Sequence, residues 1–337
     1  MNKDSLAKVA SAIVASGRGI LAADESTPTM GKRLALINQE NTEENRRDFR
    51  QALFDTDGME NFISGVILFE ETLEQKAEDG KRLSEILESK GVYPGIKVDK
   101  GAHPMDNSPS EKLTKGLDGL YERCLEYYKL GARFAKWRAV ITIGDGIPTD
   151  ECIRANASAL AKYARACQDA ELVPIVEPEV LMDGGHTIET CYEVSEKSFQ
   201  AVFEELNNEG VYLPGILLKP NMVVSGKDCP VQGDMNTVAK MTVKCLKASV
   251  PEEVPGIVFL SGGQSETEAT EHLNAMNTMG AYPWSLSFSY GRALQQSALH
   301  AWNGNNANLE TTYATFYHRA EMNSKACNGE YSPELEI

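Results

Sequence analysis

A single lysine closes an otherwise apolar run in the stretch GILLKPNMV, residues 215–223. Lys219 directly follows Ile216, Leu217 and Leu218, a run typical of a buried strand. Because burying an unpaired cation is costly, such a lysine must be exposed, ion-paired or deprotonated. A deprotonated lysine amine attacks a carbonyl carbon and forms an imine. We therefore interpret Lys219 as a candidate imine-forming lysine.

Further acids and bases stand in or at the ends of other apolar runs. Side chains alternate across a strand, so charged residues two positions apart share one face. Any one of them is about as often an ion-paired or solvated group as a catalytic one. Several on independent strands indicate a catalytic site, in which Lys136 would be the second cation that helps to free the Lys219 amine. The set comprises Asp24, Lys97, Asp99, Lys136, Arg138, Glu177, Glu179 and Lys219.

Two glycine-bearing turns have the composition of anion-binding loops. The turn LSGGQSETEA leads into a predicted helix, at whose start Ser265 and Glu268 have the spacing of a capping box. Glycine lets backbone N–H groups approach phosphate oxygens, although two ordinary strand-to-helix turns remain the alternative. The second turn, SYGRAL, adds an arginine. The candidate anion-binding residues are Ser261, Gly262, Gly263, Gly291 and Arg292.

The elements that would position these residues recur along the whole chain. Eight short β-runs alternate with helix-period stretches, which predicts a parallel sheet closed into a single (β/α)₈ barrel. The charged strand ends would meet at its C-terminal mouth, and a helix before the first strand would be an addition to the barrel. A doubly wound open sheet is the alternative, but GRGILAAD places its glycines before a strand, whereas a dinucleotide fold places them after one. The predicted strands are residues 19–24, 63–69, 93–99, 132–140, 172–180, 214–220, 255–262 and 283–290.

Composition restricts the class of protein. The 337 residues are expected to form one domain, 1–337, that ends in a short tail from about residue 328 to 337. A net charge of −16 without a basic cluster argues against nucleic acid, and no apolar run approaches membrane-spanning length. The cysteines lack any C-x-x-C pair, which favours a cytoplasmic protein. The histidines lack the spacing of a metal site, so we expect no metal and no cofactor.

The ordered motifs of the chain resemble those of class I fructose-1,6-bisphosphate aldolases. The matching stretches, from about residue 10 to 330, are GRGILAADEST, ENTEENRR, GVILFEETL, GIKVDKG, FAKWRAV, VPIVEPEVL, LLKPNMV, FLSGGQSETEA and FSYGRALQ. The resemblance implies a lysine Schiff base and no metal. It also implies reversible cleavage of fructose 1,6-bisphosphate to dihydroxyacetone phosphate and glyceraldehyde 3-phosphate, in glycolysis and gluconeogenesis. It further implies a homotetramer.

The same resemblance implies roles for individual residues. Lys219 is similar to the imine lysine that attacks C2 of the ketose. Glu177 resembles the general acid and base of imine formation, with Lys136 and Glu179 beside it. Asp24 resembles the aspartate that accepts the C4 hydroxyl proton. The residues that match the family's binding site for the C1 phosphate are Ser261, Gly262, Gly263, Ser289, Gly291 and Arg292. Those that match its binding site for the other phosphate and the sugar hydroxyls are Arg33, Lys32, Lys97, Arg138 and Thr29.

Some residues depart from the family pattern. Pro28 stands where glycine is common, Thr142 replaces a frequent lysine, Thr29 replaces a serine, and AHPMDNSPSEKLTK is a divergent loop.

Two other functions are alternatives to this aldolase activity. One is a related lysine-dependent barrel enzyme that prefers a monophosphate, such as fructose 1-phosphate, or sedoheptulose 1,7-bisphosphate. The other is a non-catalytic role on cytoskeletal filaments, which the intact charged set disfavours.

Overall fold

Eight parallel strands close into a barrel in the computed structural model of the chain, which describes residues 1–336. The strands follow one another around the barrel in chain order, and the last pairs with the first. The predicted (β/α)₈ barrel is therefore confirmed. Its strands are β1 (Gly19–Ala23), β2 (Ile63–Leu68), β3 (Tyr93–Lys97), β6 (Phe134–Ile141), β7 (Val173–Val180), β8 (Leu217–Leu218), β9 (Gly256–Phe259) and β10 (Ser285–Tyr290).

Helices precede the barrel, connect its strands and follow the last one. Several begin at a Ser, Thr or Asp whose side chain accepts the backbone N–H three residues later, including the predicted capping box of Ser265 and Glu268. No helix within residues 1–336 is long and apolar enough to cross a membrane. The helices are α1 (Lys3–Ile13), α2 (Thr27–Ala35), α3 (Glu43–Asp55), α4 (Glu70–Glu74), α5 (Leu83–Ser89), α6 (Leu120–Lys129), α7 (Asp150–Asp169), α8 (Ile188–Asn208), α9 (Met235–Ser249), α10 (Glu266–Thr278), α11 (Arg292–Trp302) and α12 (Leu309–Cys327).

Helix α1 is the predicted addition, and it packs on the N-terminal end of the barrel. Its buried Leu6 and Ile13 belong to a cluster that includes Phe134 and Leu217 from the barrel strands. Phe134 lies so close to β3 that a Cβ on Gly95 would be 2.2 Å from its ring. This end of the barrel is therefore filled by apolar side chains, which leaves the opposite end for a cavity.

The sixth barrel strand is shorter than predicted. The expected strand 214–220 is reduced to Leu217–Leu218, and Leu213–Gly215 forms a 3₁₀ turn instead. Pro214 and Pro220 explain the difference, since neither has an N–H group for the sheet. The chain nevertheless stays against β7, because the Lys219 N–H donates to the carbonyl of Val176 at 2.8 Å. Lys219 thus follows the strand directly, at the C-terminal edge of the barrel.

Residues 102–115, predicted to be a divergent loop, form an antiparallel hairpin of β4 (Ala102–Met105) and β5 (Ser108–Thr114). Its buried Glu111 accepts hydrogen bonds from the backbone N–H and the hydroxyl of Thr149, at 2.7 and 2.8 Å, which ties the hairpin to the start of α7. At the other end of the chain, the predicted tail contains a 3₁₀ turn at Pro333–Glu336. Its last residue, Ile337, lies outside the described residues.

Candidate active site

A cavity of about 1130 Å³ opens at the C-terminal end of the barrel. Its wall is formed by the strand ends and by the loops that follow them. The structure brings every residue chosen from the sequence into this wall, although these residues come from distant parts of the chain. They are Asp24, Thr29, Lys32, Arg33, Lys97, Asp99, Lys136, Arg138, Glu177, Glu179, Lys219, Ser261, Gly262, Gly263, Ser289, Gly291 and Arg292.

Four charged side chains form a continuous chain of contacts at the centre of the cavity. The Lys219 Nζ lies 3.2 Å from Glu177 Oε1, and the Lys136 Nζ lies 3.3 Å from Glu177 Oε2. Lys136 also reaches Asp24 Oδ2 at 2.8 Å, although β6 and β1 are not neighbours in the barrel. None of the four residues is more than 9% exposed. Two lysine and two acidic side chains therefore share one desolvated region.

Electrostatic interactions within this group keep Asp24 and Lys136 ionised. Burial by itself raises the pKa of Asp24, but attraction to Lys136 and Lys219 outweighs it and lowers the pKa to about 2. Burial likewise opposes the charged form of Lys136, yet Asp24 and Glu177 reverse that effect, so its pKa is raised. At neutral pH, Asp24 is thus a carboxylate.

Two further ion pairs lie on the β3 and β6 side of the mouth. Arg138 donates to Glu179, and the Lys97 Nζ lies 2.7 Å from Asp99 Oδ1. Burial disfavours the charged form of Arg138, but Glu179 outweighs it and raises the pKa of the guanidinium. Asp99 lies two residues beyond the end of β3, where its Oδ1 also accepts the Gly101 N–H at 3.1 Å. These cations are held by acids that an anionic ligand can replace.

The two glycine-bearing turns lie side by side above β9 and β10. The Arg292 Nη2 donates to the carbonyl of Gly262 at 2.7 Å, which joins them. Gly262 has a φ of +49°, a conformation that favours glycine. The Ser289 hydroxyl is buried and has no hydrogen-bond partner among the described residues. A buried hydroxyl without a partner, beside two glycine-bearing turns and an arginine, is suited to an anion.

Arg33 lies next to the same turns, whereas the family resemblance grouped it with Lys97 and Arg138. A Cβ on Gly291 would be 3.7 Å from Arg33 Nη2. The guanidinium is held by Glu25, whose Oε1 is 2.5 Å from Arg33 Nη1 and accepts a hydrogen bond from Gln295 at 3.0 Å. Glu25 was missed by the sequence reasoning, although its position directly after Asp24 was a usable signal.

Two hydroxyls stand at the start of α2, near the rim of the cavity. The Oγ1 of Thr29 lies 3.1 Å from the Oγ of Ser26, and both residues line the cavity with Lys32. Pro28 is in the first turn of this helix, where its missing N–H costs nothing. In the part of the chain that the structure describes, no three His, Cys, Asp or Glu side chains are grouped as for a metal ion.

Comparisons with known proteins agree on one family. A family model described as fructose-bisphosphate aldolase class-I matches residues 5–336. The chain is 52% identical to a probable fructose-bisphosphate aldolase class 1 of Xanthomonas axonopodis pv. citri, covering 98% of this chain and 99% of the relative. It is 54% identical to the cytosolic fructose-bisphosphate aldolase 5 of Arabidopsis thaliana, covering 98% and 92%. A solved aldolase from Plasmodium falciparum has a TM-score of 0.97 and 51% identity, covering 98% of this chain and 96% of its own.

Proposed function

The chain belongs to the class I fructose-bisphosphate aldolase family, and on that premise we propose how its own residues carry out the reaction. The protein is an aldehyde-lyase of glycolysis. It reversibly cleaves fructose 1,6-bisphosphate to dihydroxyacetone phosphate and glyceraldehyde 3-phosphate through a lysine Schiff base. The observation that supports the residue roles is the buried contact chain from Lys219 through Glu177 and Lys136 to Asp24.

Lys219 is the residue proposed to form the Schiff base. Its amine attacks the C2 carbonyl of the ketose to give a carbinolamine, which loses water to become the imine. Glu177 lies 3.2 Å from the Lys219 Nζ and is placed to exchange protons with the amine and the departing hydroxyl. Glu179 contributes by orienting Arg138, its partner at the edge of the same region.

Asp24 is proposed to accept the C4 hydroxyl proton. The C3–C4 bond then breaks, its electron pair moves into the enamine on Lys219, and glyceraldehyde 3-phosphate leaves. Protonation of C3 and hydrolysis of the imine release dihydroxyacetone phosphate. Lys136 contacts both Asp24 and Glu177, so it stabilises negative charge on either group during these proton transfers.

Cations on two sides of the mouth support a substrate with two phosphates. Arg292 and Arg33 flank the turns after β9 and β10, whereas Lys97 and Arg138 stand on β3 and β6, across the barrel. We assign the C1 phosphate to the first group, with Ser261, Gly262, Gly263, Ser289 and Gly291. The second phosphate and the sugar hydroxyls are assigned to the second group with Lys32 and Thr29.

Cleavage of fructose 1,6-bisphosphate should survive prolonged incubation with EDTA. The chemistry proposed here uses an amine as the electron sink, so no dissociable metal ion is needed for the carbon–carbon bond to break. A coupled assay of triose phosphate formation, before and after treatment, measures the effect. Loss of activity that added zinc restores would contradict the proposed function.

Arg292→Ala is expected to raise the KM for fructose 1,6-bisphosphate by about tenfold, because a charge-assisted contact to phosphate is lost. The value of kcat should change much less, since Arg292 takes no part in the contact chain from Lys219 to Asp24. Arg154→Ala is a matched control, because Arg154 is exposed on α7 and does not line this cavity. An unchanged KM in Arg292→Ala would move the phosphate site elsewhere.

The assembly is proposed to be a homotetramer, which rests on the family resemblance. Light scattering on the purified protein at micromolar concentration should therefore give four times the chain mass of 36.9 kDa. A monomeric mass under these conditions would contradict the assignment.

The location is proposed to be cytoplasmic, on the support of the Arabidopsis relative that is described as cytosolic. Cell fractionation followed by an activity assay would test it, and recovery in a membrane pellet or an organelle would contradict it.

The chain is also proposed to form one domain over residues 1–337. Calorimetry tests this proposal by the number of unfolding transitions, of which one is expected.

A further inference from the structure

A lysine that the sequence analysis did not select stands at the mouth of the cavity. Lys227 lies in the loop between β8 and α9, and it lines the same cavity as the proposed catalytic residues. Its side chain is 47% exposed, and its Nζ is 3.2 Å from Asp183 Oδ1. None of the reaction steps proposed above uses this ammonium group.

The backbone around Lys227 is held in place by the loop after β7. The Lys227 N–H donates to the carbonyl of Met182 at 2.8 Å, and the Asp228 N–H donates to the carbonyl of Gly184 at 2.9 Å. The approach is close, because a Cβ on Gly226 would lie 2.2 Å from that same Gly184 oxygen. Only glycine fits at position 226, and the two loops form one hydrogen-bonded wall from which the lysine side chain projects.

The side chain of Lys227 lies directly against the proposed phosphate loop. A Cβ on Gly263 would be 2.4 Å from Lys227 Cε and 3.0 Å from its Nζ, so the missing side chain of Gly263 leaves room for the lysine. The Gly263 N–H points to the Met182 Sδ at 2.9 Å. Arg292, at the start of α11, donates a hydrogen bond to the carbonyl of Gly262 in this loop. The loop is therefore flanked by two cations, of which only Arg292 was assigned to it.

We propose that Lys227 binds the phosphate group held at the Ser261–Gly263 loop and leaves Asp183 when the substrate enters. Both partners of the present pair are largely exposed, and such pairs contribute little stability. A phosphate dianion offers the ammonium more charge and more acceptor oxygens than one carboxylate does. The exchange needs only rotation of the lysine side chain, since its backbone is fixed. This inference rests on the phosphate site of the proposed function.

The test compares variants by steady-state kinetics. Lys227→Met keeps most of the aliphatic stem against Gly263 and removes the charge. We expect the KM for fructose 1,6-bisphosphate and the inhibition constant of inorganic phosphate to rise by about three- to tenfold, with kcat changed less than twofold. Lys227→Arg should retain near-normal values. Asp183→Asn should lower the KM, because the competing carboxylate is removed. Lys162→Met, at an exposed site on α7, is the matched control.

Fructose 1-phosphate, used as a second substrate, tests whether Lys227 binds the C1 phosphate. Because it keeps only the C1 phosphate, Lys227→Met should raise its KM by the same factor as that of the bisphosphate. An effect on the bisphosphate alone would overturn the inference, as would an unchanged KM for both substrates. If Arg292→Ala raises the KM but Lys227→Met does not, only the role of Lys227 fails. If neither does, the phosphate site of the proposed function fails with it.

Discussion

Lys219→Met should abolish cleavage and, together with it, covalent trapping of the substrate. Wild-type protein incubated with dihydroxyacetone phosphate and borohydride should lose activity, since the hydride reduces the imine to a stable secondary amine. Mass spectrometry should then find the reduced triose on the peptide that contains GILLKPNMV. In Lys219→Met this added mass should be absent, and turnover should fall by about 10⁴-fold or more.

The location of the label makes this prediction specific. Lys136→Met should slow both trapping and turnover without preventing the label on Lys219, because Lys136 only contacts the groups that transfer protons. Lys162→Met, exposed on α7, should behave like the wild type. A label on Lys136 or Lys97 would overturn the assignment of the imine lysine. Full activity without any label would rule out the covalent mechanism, and circular dichroism would show whether each variant is folded.

Asp24→Asn should separate bond cleavage from Schiff-base formation. The amide has nearly the same shape as the carboxylate but cannot accept the C4 hydroxyl proton, so cleavage should slow by roughly 10²- to 10⁴-fold. Dihydroxyacetone phosphate has no C4 hydroxyl, and its borohydride trapping on Lys219 should therefore continue. The comparison uses one enzyme preparation, assayed for cleavage and for trapping.

The pKa of Asp24 and the contacts of Lys136 make this second prediction more specific. The pKa of Asp24 is lowered to about 2, so protonation of Asp24 should not limit activity between pH 5 and 9. In Asp24→Asn, Lys136 still has Glu177 at 3.3 Å and is not left without a partner. If trapping is lost along with cleavage, Asp24 acts in imine formation or supports the position of Lys219, and its proposed role is wrong.

Several features could be predicted from the sequence because they depend on local patterns. Each run of β-branched and apolar residues between helical stretches predicts a strand from its own residues alone, and eight such runs predict the barrel. The capping box of Ser265 and Glu268 depends on residues three positions apart. Charged residues within a strand, such as Glu177, or directly after one, such as Lys219, stood out because a buried strand otherwise lacks them. The cavity, lined by all the chosen residues, follows from closing those strands into a ring.

Other features were decided only by the tertiary structure. The barrel brings Asp24 to Lys136 at 2.8 Å, although the two residues come from strands that are not neighbours, and no local pattern contains that pairing. The same holds for Arg33 beside Gly291 and for Lys227 against Gly263. Each depends on the register of the strands and on the path of loops that carry no periodic signal. Hydrophobic patterning determines which residues face a sheet or a core, but the partner of a side chain across the mouth is fixed by packing of the whole ring.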